Sequence, residues 1–254
     1  LSLTWGDNSL KFNPMLDLPY LVKDKIIISG DYVEVYHYSR GYWVGWPGVL
    51  RAKSQKIKVV KTQTEIRADN IARTKKRLKR LINSNKDLNK FLTLTFADNV
   101  KDFRFANNEF KKFVKRLNYK YPKFKYVAVP EFQKRGAIHY HLLCNIQYLT
   151  IAELDGLREL WGHGWIDLKR IDKIENVGAY VAKYLGKAND DNRLFGKKKF
   201  FYSINLLTPV ILDKVKEVRE FLSFLDFWSI KKCLWKTTID TVWLGELQYT
   251  IYRI

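Results

Sequence analysis

The chain has 254 residues, enough for one large domain or a core domain with extensions, and carries 46 Lys and Arg against 26 Asp and Glu, a formal charge of +20. A hydrophobic share of 46% and an aromatic share of 15% exclude a disordered basic tail, so the charge sits on a folded protein and calls for an anionic partner, nucleic acid first. No apolar run reaches the roughly 18 residues of a membrane span and no leader pattern opens the chain, so the expectation is a cytoplasmic protein with no membrane partner. Cys144 and Cys233 make neither a disulfide framework nor a metal-binding spacing, and each is expected to be a small buried apolar residue.

In chain order, Ile26-Ile27-Ile28, a turn at Gly30-Asp31 and the alternation from Tyr32 to Tyr38 predict a hairpin. Dense aromatics with Gly and Pro from Tyr42 to Pro47 predict irregular or edge-strand structure. Arg51 to Lys90 then holds 14 Lys or Arg against Glu65, Asp69 and Asp87, which is +11 of the total charge. Within it, Thr64 to Ile82 has an amphipathic pattern and predicts a basic helix. Arg73, Lys75, Lys76, Arg77, Lys79 and Arg80 fill six of eight consecutive positions there. The bland reading is a solvated face; the lopsided charge favours contact with DNA phosphates.

From Phe91 the pattern becomes regular. Strands are expected at Phe91–Phe96, at Phe124–Val129 closed by Pro130, at Ala137–Ile146 and at Gly164–Ile171. Helices are expected at Phe105–Tyr119, at Thr150–Trp161 with Thr150 and Glu153 as a capping box, and at Glu175–Lys187. The order β-α-β-β-α-β plus one more helix is the split βαβ pattern. The fold class is therefore α+β, a ferredoxin-like (RRM-like) core whose antiparallel sheet carries helices on one face and leaves the other free for a site. Further on, Pro209–Trp228 predicts a helix, and Trp235–Ile254 two short strands separated by Gly245. The divisions expected are a basic N-terminal region at 1–88, the core at 89–190 and an extension at 191–254.

The residues that carry chemistry cluster in two places. Half of the four histidines form one His-x-His pair, His139 and His141. On a strand, residues two apart share a face at a separation of roughly 6.6 Å, while Tyr140 turns into the core. Glu131 ends the preceding strand of the same hairpin and can lie beside them. Two imidazoles and a carboxylate without a thiolate suit Mn²⁺ or Mg²⁺ in an open, Lewis-acid site. The bland alternative is an ordinary polar strand face. The second place is Tyr180, Lys183, Tyr184 and Lys187, which share one helix face. Two phenols beside two ammonium groups make a nucleophile pair, because nearby positive charge favours phenolate, and the same charge holds a phosphodiester. For His163, in a turn, a local backbone cap is expected. Tyr36, Tyr38, Tyr42, Trp43 and Trp46 can stack unpaired bases, although such rings more often pack a subdomain.

His139-Tyr140-His141 resembles the His-hydrophobe-His motif of the HUH endonucleases, and Tyr180-Val181-Ala182-Lys183-Tyr184 resembles their tyrosine motif in its two-tyrosine form. In this respect the chain is similar to the rolling-circle replication initiator (Rep) proteins of plasmids and small single-stranded DNA phages. Phe91 to Phe96 is similar to the family's first motif, Glu131 stands where the family has its third metal ligand, and Trp161 to Ile171 also looks like these proteins. The resemblance runs from Phe91 to Lys187 and is weaker outside. It implies a metal-assisted transesterification on single-stranded origin DNA: Tyr180 attacks the scissile phosphate, leaving a 5′-phosphotyrosine link and a 3′-hydroxyl primer, and Tyr184 serves as a second nucleophile or stands by. It further implies a bacterial host cell that provides helicase and polymerase, the helicase because the chain has no Gly-x-x-x-x-Gly-Lys phosphate loop. The competing readings are a related HUH transposase or relaxase, and a non-catalytic nucleic-acid-binding module with an RRM-like sheet. The oligomeric state is left open.

Overall fold

A computed structural model describes residues 18–45, 63–147, 150–171, 177–178, 180–181, 192–194, 197–228 and 232–254. Contacts divide the chain into two units, one comprising Leu1–Val60 with Val210–Ile254, the other Lys61–Pro209. These boundaries gather both chain ends into one unit and put the basic helix in the other, whereas the divisions expected from sequence follow chain order. No helix of the described residues is long and apolar enough to cross a membrane.

The second unit is built on β3 (Lys90–Thr95), β4 (Tyr126–Phe132), β5 (Ile138–Cys144) and β6 (Ile166–Arg170), with a two-residue strand β7 (Phe201–Tyr202) at one edge. Every pairing is antiparallel, and the strand order is β6-β3-β5-β4-β7. With α2 (Phe103–Lys120) between β3 and β4 and α3 (Ile151–Trp161) between β5 and β6, this is compatible with the ferredoxin-like core. The class is α+β. Helix α2 turns Phe103, Ala106, Phe110, Phe113 and Leu117 to the sheet, a stripe at helical spacing, and starts at Asp102, whose side chain accepts from the Arg104 amide. Helix α3 has the expected capping box between Thr150 and Glu153 and ends at Gly162 in the left-handed region.

The sequence expectation closes a strand at Pro130, but β4 runs on to Phe132. The missing proline donor is tolerated because β7 pairs β4 only at Val127 and Ala128, so at Pro130 the strand is an edge on that side. The free sheet face also needs correction. Helix α1 (Gln63–Asn83) puts Leu78, Leu81 and Ile82 into one buried cluster with Val127, Val129, Leu143 and Val181. By the alternation of side chains these strand valines and Leu143 share the face of His139 and His141. The face opposite α2 is therefore covered in part by the basic helix. An amphipathic helix with a buried apolar stripe needs a surface to pack on, and this is the surface left over.

The first unit is a sheet of order β8-β1-β2-β10-β9. The expected hairpin is β1 (Tyr20–Ser29) with β2 (Tyr32–Val44), and the expected C-terminal strands are β9 (Lys232–Thr241) and β10 (Gly245–Arg253). The expected helix from Pro209 divides: Val210–Leu212 form β8 on the edge of β1, and α4 covers Val215–Trp228. Three β-branched or leucine residues are too few to break a helical count in sequence, yet pairing with Ile26–Ile28 claims them. Val218 and Leu225 of α4 pack on Ile26 and Val33. On the other face Tyr36 and Tyr38 are buried beside Tyr42, Leu247 and Tyr249, and the Tyr36 hydroxyl donates to Glu34 at 2.7 Å. Stacking bases is thereby denied to Tyr36 and Tyr38; Trp46 lies outside the described residues. Cys144 is buried as expected, but Cys233 is exposed on the edge strand β9.

Three single substitutions test these local arguments by thermal unfolding. Gly164, at φ +141°, packs where a Cβ would meet the Ala97 nitrogen at 2.5 Å and the Thr95 oxygen at 2.6 Å. Gly164→Ala is expected to cost about 2 kcal/mol, and Thr150→Ala about 1 kcal/mol through the lost cap. Gly156→Ala in α3, where a Cβ would meet only the Lys120 ammonium at 3.6 Å, should instead be neutral or gain up to roughly 1 kcal/mol.

Candidate active site

Strand β5 is central, and its neighbours fix what surrounds the two histidines. Thr95 and Glu131 flank His139, and Thr93 and Val129 flank His141, all on one face of the sheet. Glu131 Oε2 lies 3.1 Å from His141 Nε2, and the other imidazole nitrogen, Nδ1, lies 3.3 Å from the Thr93 hydroxyl. His141 is thus held from both sides. The His139 and His141 ring centroids are 6.2 Å apart, close to the strand repeat. Tyr140 turns the other way, stacked on Phe110 at 4.5 Å with its hydroxyl donating to Asn107 at 2.7 Å, and burial raises its phenol well above the usual range.

His139 is the odd member. It is 9% exposed, and its Nε2 has no hydrogen-bond partner among the described residues. Burial, with His141 and Arg135 adding positive charge against the opposing Glu131, pulls its pKa down to about 4. The ring is neutral at physiological pH and keeps a buried nitrogen that satisfies nothing in the protein. Such an atom costs stability and points to a missing partner. The chemistry of the donors suits a divalent cation: a neutral imidazole with a spare nitrogen beside a carboxylate and a second imidazole. Their positions suit it less, since among the described residues no three His, Cys, Asp or Glu side chains gather into a metal-holding group. Glu131 and His141 close on each other instead.

Tyr180 belongs to a helical turn with Val177, Gly178 and Val181. Its ring meets Phe91 edge-on at 5.6 Å, and Phe91 in turn stacks on His141 at 5.6 Å. One ring therefore separates the tyrosine from the histidine pair. Close approach to α1 sets this turn, because a Cβ on Gly178 would meet the Asn83 side chain at 2.8 Å and the Lys79 carbonyl at 3.2 Å. Lys183, Tyr184 and Lys187 lie outside the described residues. Beyond the expected set, the structure adds Phe91 and Thr93, whose period-two spacing already puts them on the histidine face, and Arg135. The Arg135 guanidinium donates to the Phe96 and Ala97 carbonyls, which straps the β4–β5 turn across the end of β3.

Of the basic residues on α1, Arg73 is exposed, while its guanidinium donates to the Asn70 side chain and the Asp69 carbonyl. Lys75, Lys76, Lys79 and Arg80 are half-buried. Arg77 donates to the Tyr202 hydroxyl at 2.8 Å and lies over the Phe200 and Tyr202 rings, a role within the unit that its place in a basic run does not reveal. His163 is not capping backbone: its Nε2 meets Glu109 Oε2 on α2 at 3.0 Å, and its ring packs on Phe96 and Trp161.

Residues 89–189 match the family model of replication-associated proteins of the ORF2 and gene-2-protein type. The matched span contains Glu131, His139, His141 and Tyr180, and it supports a role in initiating replication. No curated protein and no solved structure matches the chain.

The Glu109 carboxyl is held below its ordinary range, chiefly by the hydrogen bond from Lys112 and next by the one from His163. A depressed carboxylate contributes stability above its unfolded value and loses it as pH falls through the folded one. Glu109→Gln is therefore expected to lower the melting temperature at pH 7, with the difference from the parent shrinking below about pH 4.

Proposed function

We propose that this protein is a replication initiator that cuts and rejoins single-stranded origin DNA through a tyrosine. The observation that carries the reading is the placement of Tyr180, Phe91 and His141 in one line of rings beside Glu131 and the orphaned His139 nitrogen. In the proposed reaction the Tyr180 oxygen attacks the scissile phosphorus and the bond to the 3′ oxygen breaks. The phenolic proton leaves to solvent, and the departing 3′ oxygen takes one up. The product is a 5′-phosphotyrosine and a free 3′-hydroxyl that primes synthesis, and reversal by a 3′-hydroxyl rejoins the strand. Glu131, His139 and His141 would hold Mn²⁺ or Mg²⁺, which supplies positive charge to the phosphate oxygens.

The chain's own residues set the geometry. Phe91 spaces the phenol from His141, and Thr93 fixes the His141 ring. Lys183 and Lys187 are proposed to favour phenolate and to bind the phosphodiester, with Tyr184 as the second nucleophile that releases the product. Origin docking falls to the exposed side of α1, and opening and copying of the duplex to a host helicase and polymerase.

Incubating the protein with Mn²⁺ and a single-stranded origin oligonucleotide should yield a covalent adduct that survives denaturation. Tyr180→Phe should reduce it by about 100-fold or more, as should His139→Ala, with duplex binding near normal. An adduct from the Tyr180→Phe, Tyr184→Phe double variant would overturn the reading. Replacing Arg73, Lys75 and Lys76 by Gln should weaken duplex binding and flatten its salt slope by about one for each phosphate no longer neutralised. Arg77 is left out because it supports Tyr202.

A further inference from the structure

At the end of the sheet remote from His139, a cavity of about 470 Å³ is lined by Asp87, Asn89, Lys90, Asn145, Gln147 and Arg170, with Ile146 beside them. It falls within the size range of small-ligand sites. Lys90 stands directly opposite Arg170 across the β3–β6 pair, and like charges so placed repel. Lys90 is only 6% exposed, so its ammonium is held at the cavity wall rather than in open water, where it donates to Asn89 Oδ1 at 3.0 Å. The one carboxylate of the lining, Asp87, lies 2.9 Å from Lys125 and so has a cation of its own. The lining as a whole favours an anion.

Three primary amides, Asn89, Asn145 and Gln147, share the wall with the two cations. Each offers a donor and an acceptor, the pattern that reads the edge of a nucleobase, and Ile146 offers an apolar surface to its plane. Asn145 is already fixed, with its oxygen accepting from the Lys125 amide at 2.7 Å and its nitrogen donating to the Lys123 carbonyl at 3.0 Å. A bare phosphate would answer the cations and leave most of this volume and the amides unused.

We infer that this cavity binds a single nucleotide unit, its phosphate set between Lys90 and Arg170 and its base edge toward Asn89 and Gln147. Five residues of β3 separate Lys90 from Thr95, the neighbour of His139, so the cavity lies roughly 17 Å from the tyrosine chemistry. It is a second site, independent of strand cutting. The nucleotide comes either free or as an unpaired member of a DNA strand.

Calorimetric titration of the full chain with 2′-deoxyadenosine 5′-monophosphate tests it. Saturable binding is expected, with inorganic phosphate and deoxyadenosine each weaker by about tenfold or more. Arg170→Gln and Gln147→Ala change exposed side chains; the first should weaken the nucleotide by about tenfold, the second less. No binding of the monophosphate by the parent chain at millimolar concentration, or equal affinity in parent and Arg170→Gln, overturns the inference. A short single-stranded oligonucleotide added in competition distinguishes the sources. Displacement of the monophosphate assigns the site to a strand, and failure to displace it assigns the site to the free nucleotide.

Discussion

The register of β4 against β5 sets Glu131 opposite His139, and that of β3 sets Thr93 opposite His141. Everything at the candidate site follows from these two alignments. Because side chains alternate with a period of two, a slip of one residue would send both histidines into the helix-packed layer and bring Tyr140 out. Tyr140 guards against that slip. Its ring lies flat on Phe110 and its hydroxyl reaches Asn107, so moving it would strand a buried phenol and empty a packed position. The residue between the histidines contributes no chemistry of its own and instead locks the frame that presents them. Arg135 adds a second lock from the turn by tying it to the carbonyls at the end of β3.

The basic helix then acquires two duties that oppose each other. Its apolar stripe, Leu78, Leu81 and Ile82, has to be buried to make the helix stable, and among the described residues of its unit the large surface not taken by α2 and α3 is the histidine side. Burial there shields the site from water, which strengthens the electrostatics around His139 and accounts for its depressed pKa. The cost is that charges on the flanks of the stripe, such as Arg77, are drawn into supporting contacts. A count of charge along the chain therefore overstates the number available to DNA.

What the sequence made legible follows the range of the interaction. Thr150 with Glu153, the Gly30-Asp31 turn and the strand placing His139 and His141 are decided within a few residues, and all can be read from local pattern. Glu131 could be named as a neighbour from the hairpin alone, while its approach to His141 rather than to His139 could not, since that depends on rotamers across the pair. Pro130 misled because a proline forbids only a donor, and whether a donor is needed depends on a strand about seventy residues away. Val210–Leu212 misled for the same reason, their partner being Ile26–Ile28 near the other end of the chain. Phe91 was visible as a strand residue, yet its place between His141 and Tyr180 comes from packing that no spacing encodes.

The His139 nitrogen carries one more step. Glu131 could have satisfied it, being the direct cross-strand partner, but its carboxylate pairs with His141 on the diagonal. A fold selected only for stability would satisfy the most buried imidazole first, because an orphaned polar atom costs more where water cannot reach. Here the more exposed histidine has the carboxylate and the Thr93 hydroxyl, and the buried one has neither. That inverted allocation is costly in the protein alone and reasonable if something outside the protein completes His139. It favours a site that waits for a ligand over a strand face that merely happens to carry two histidines.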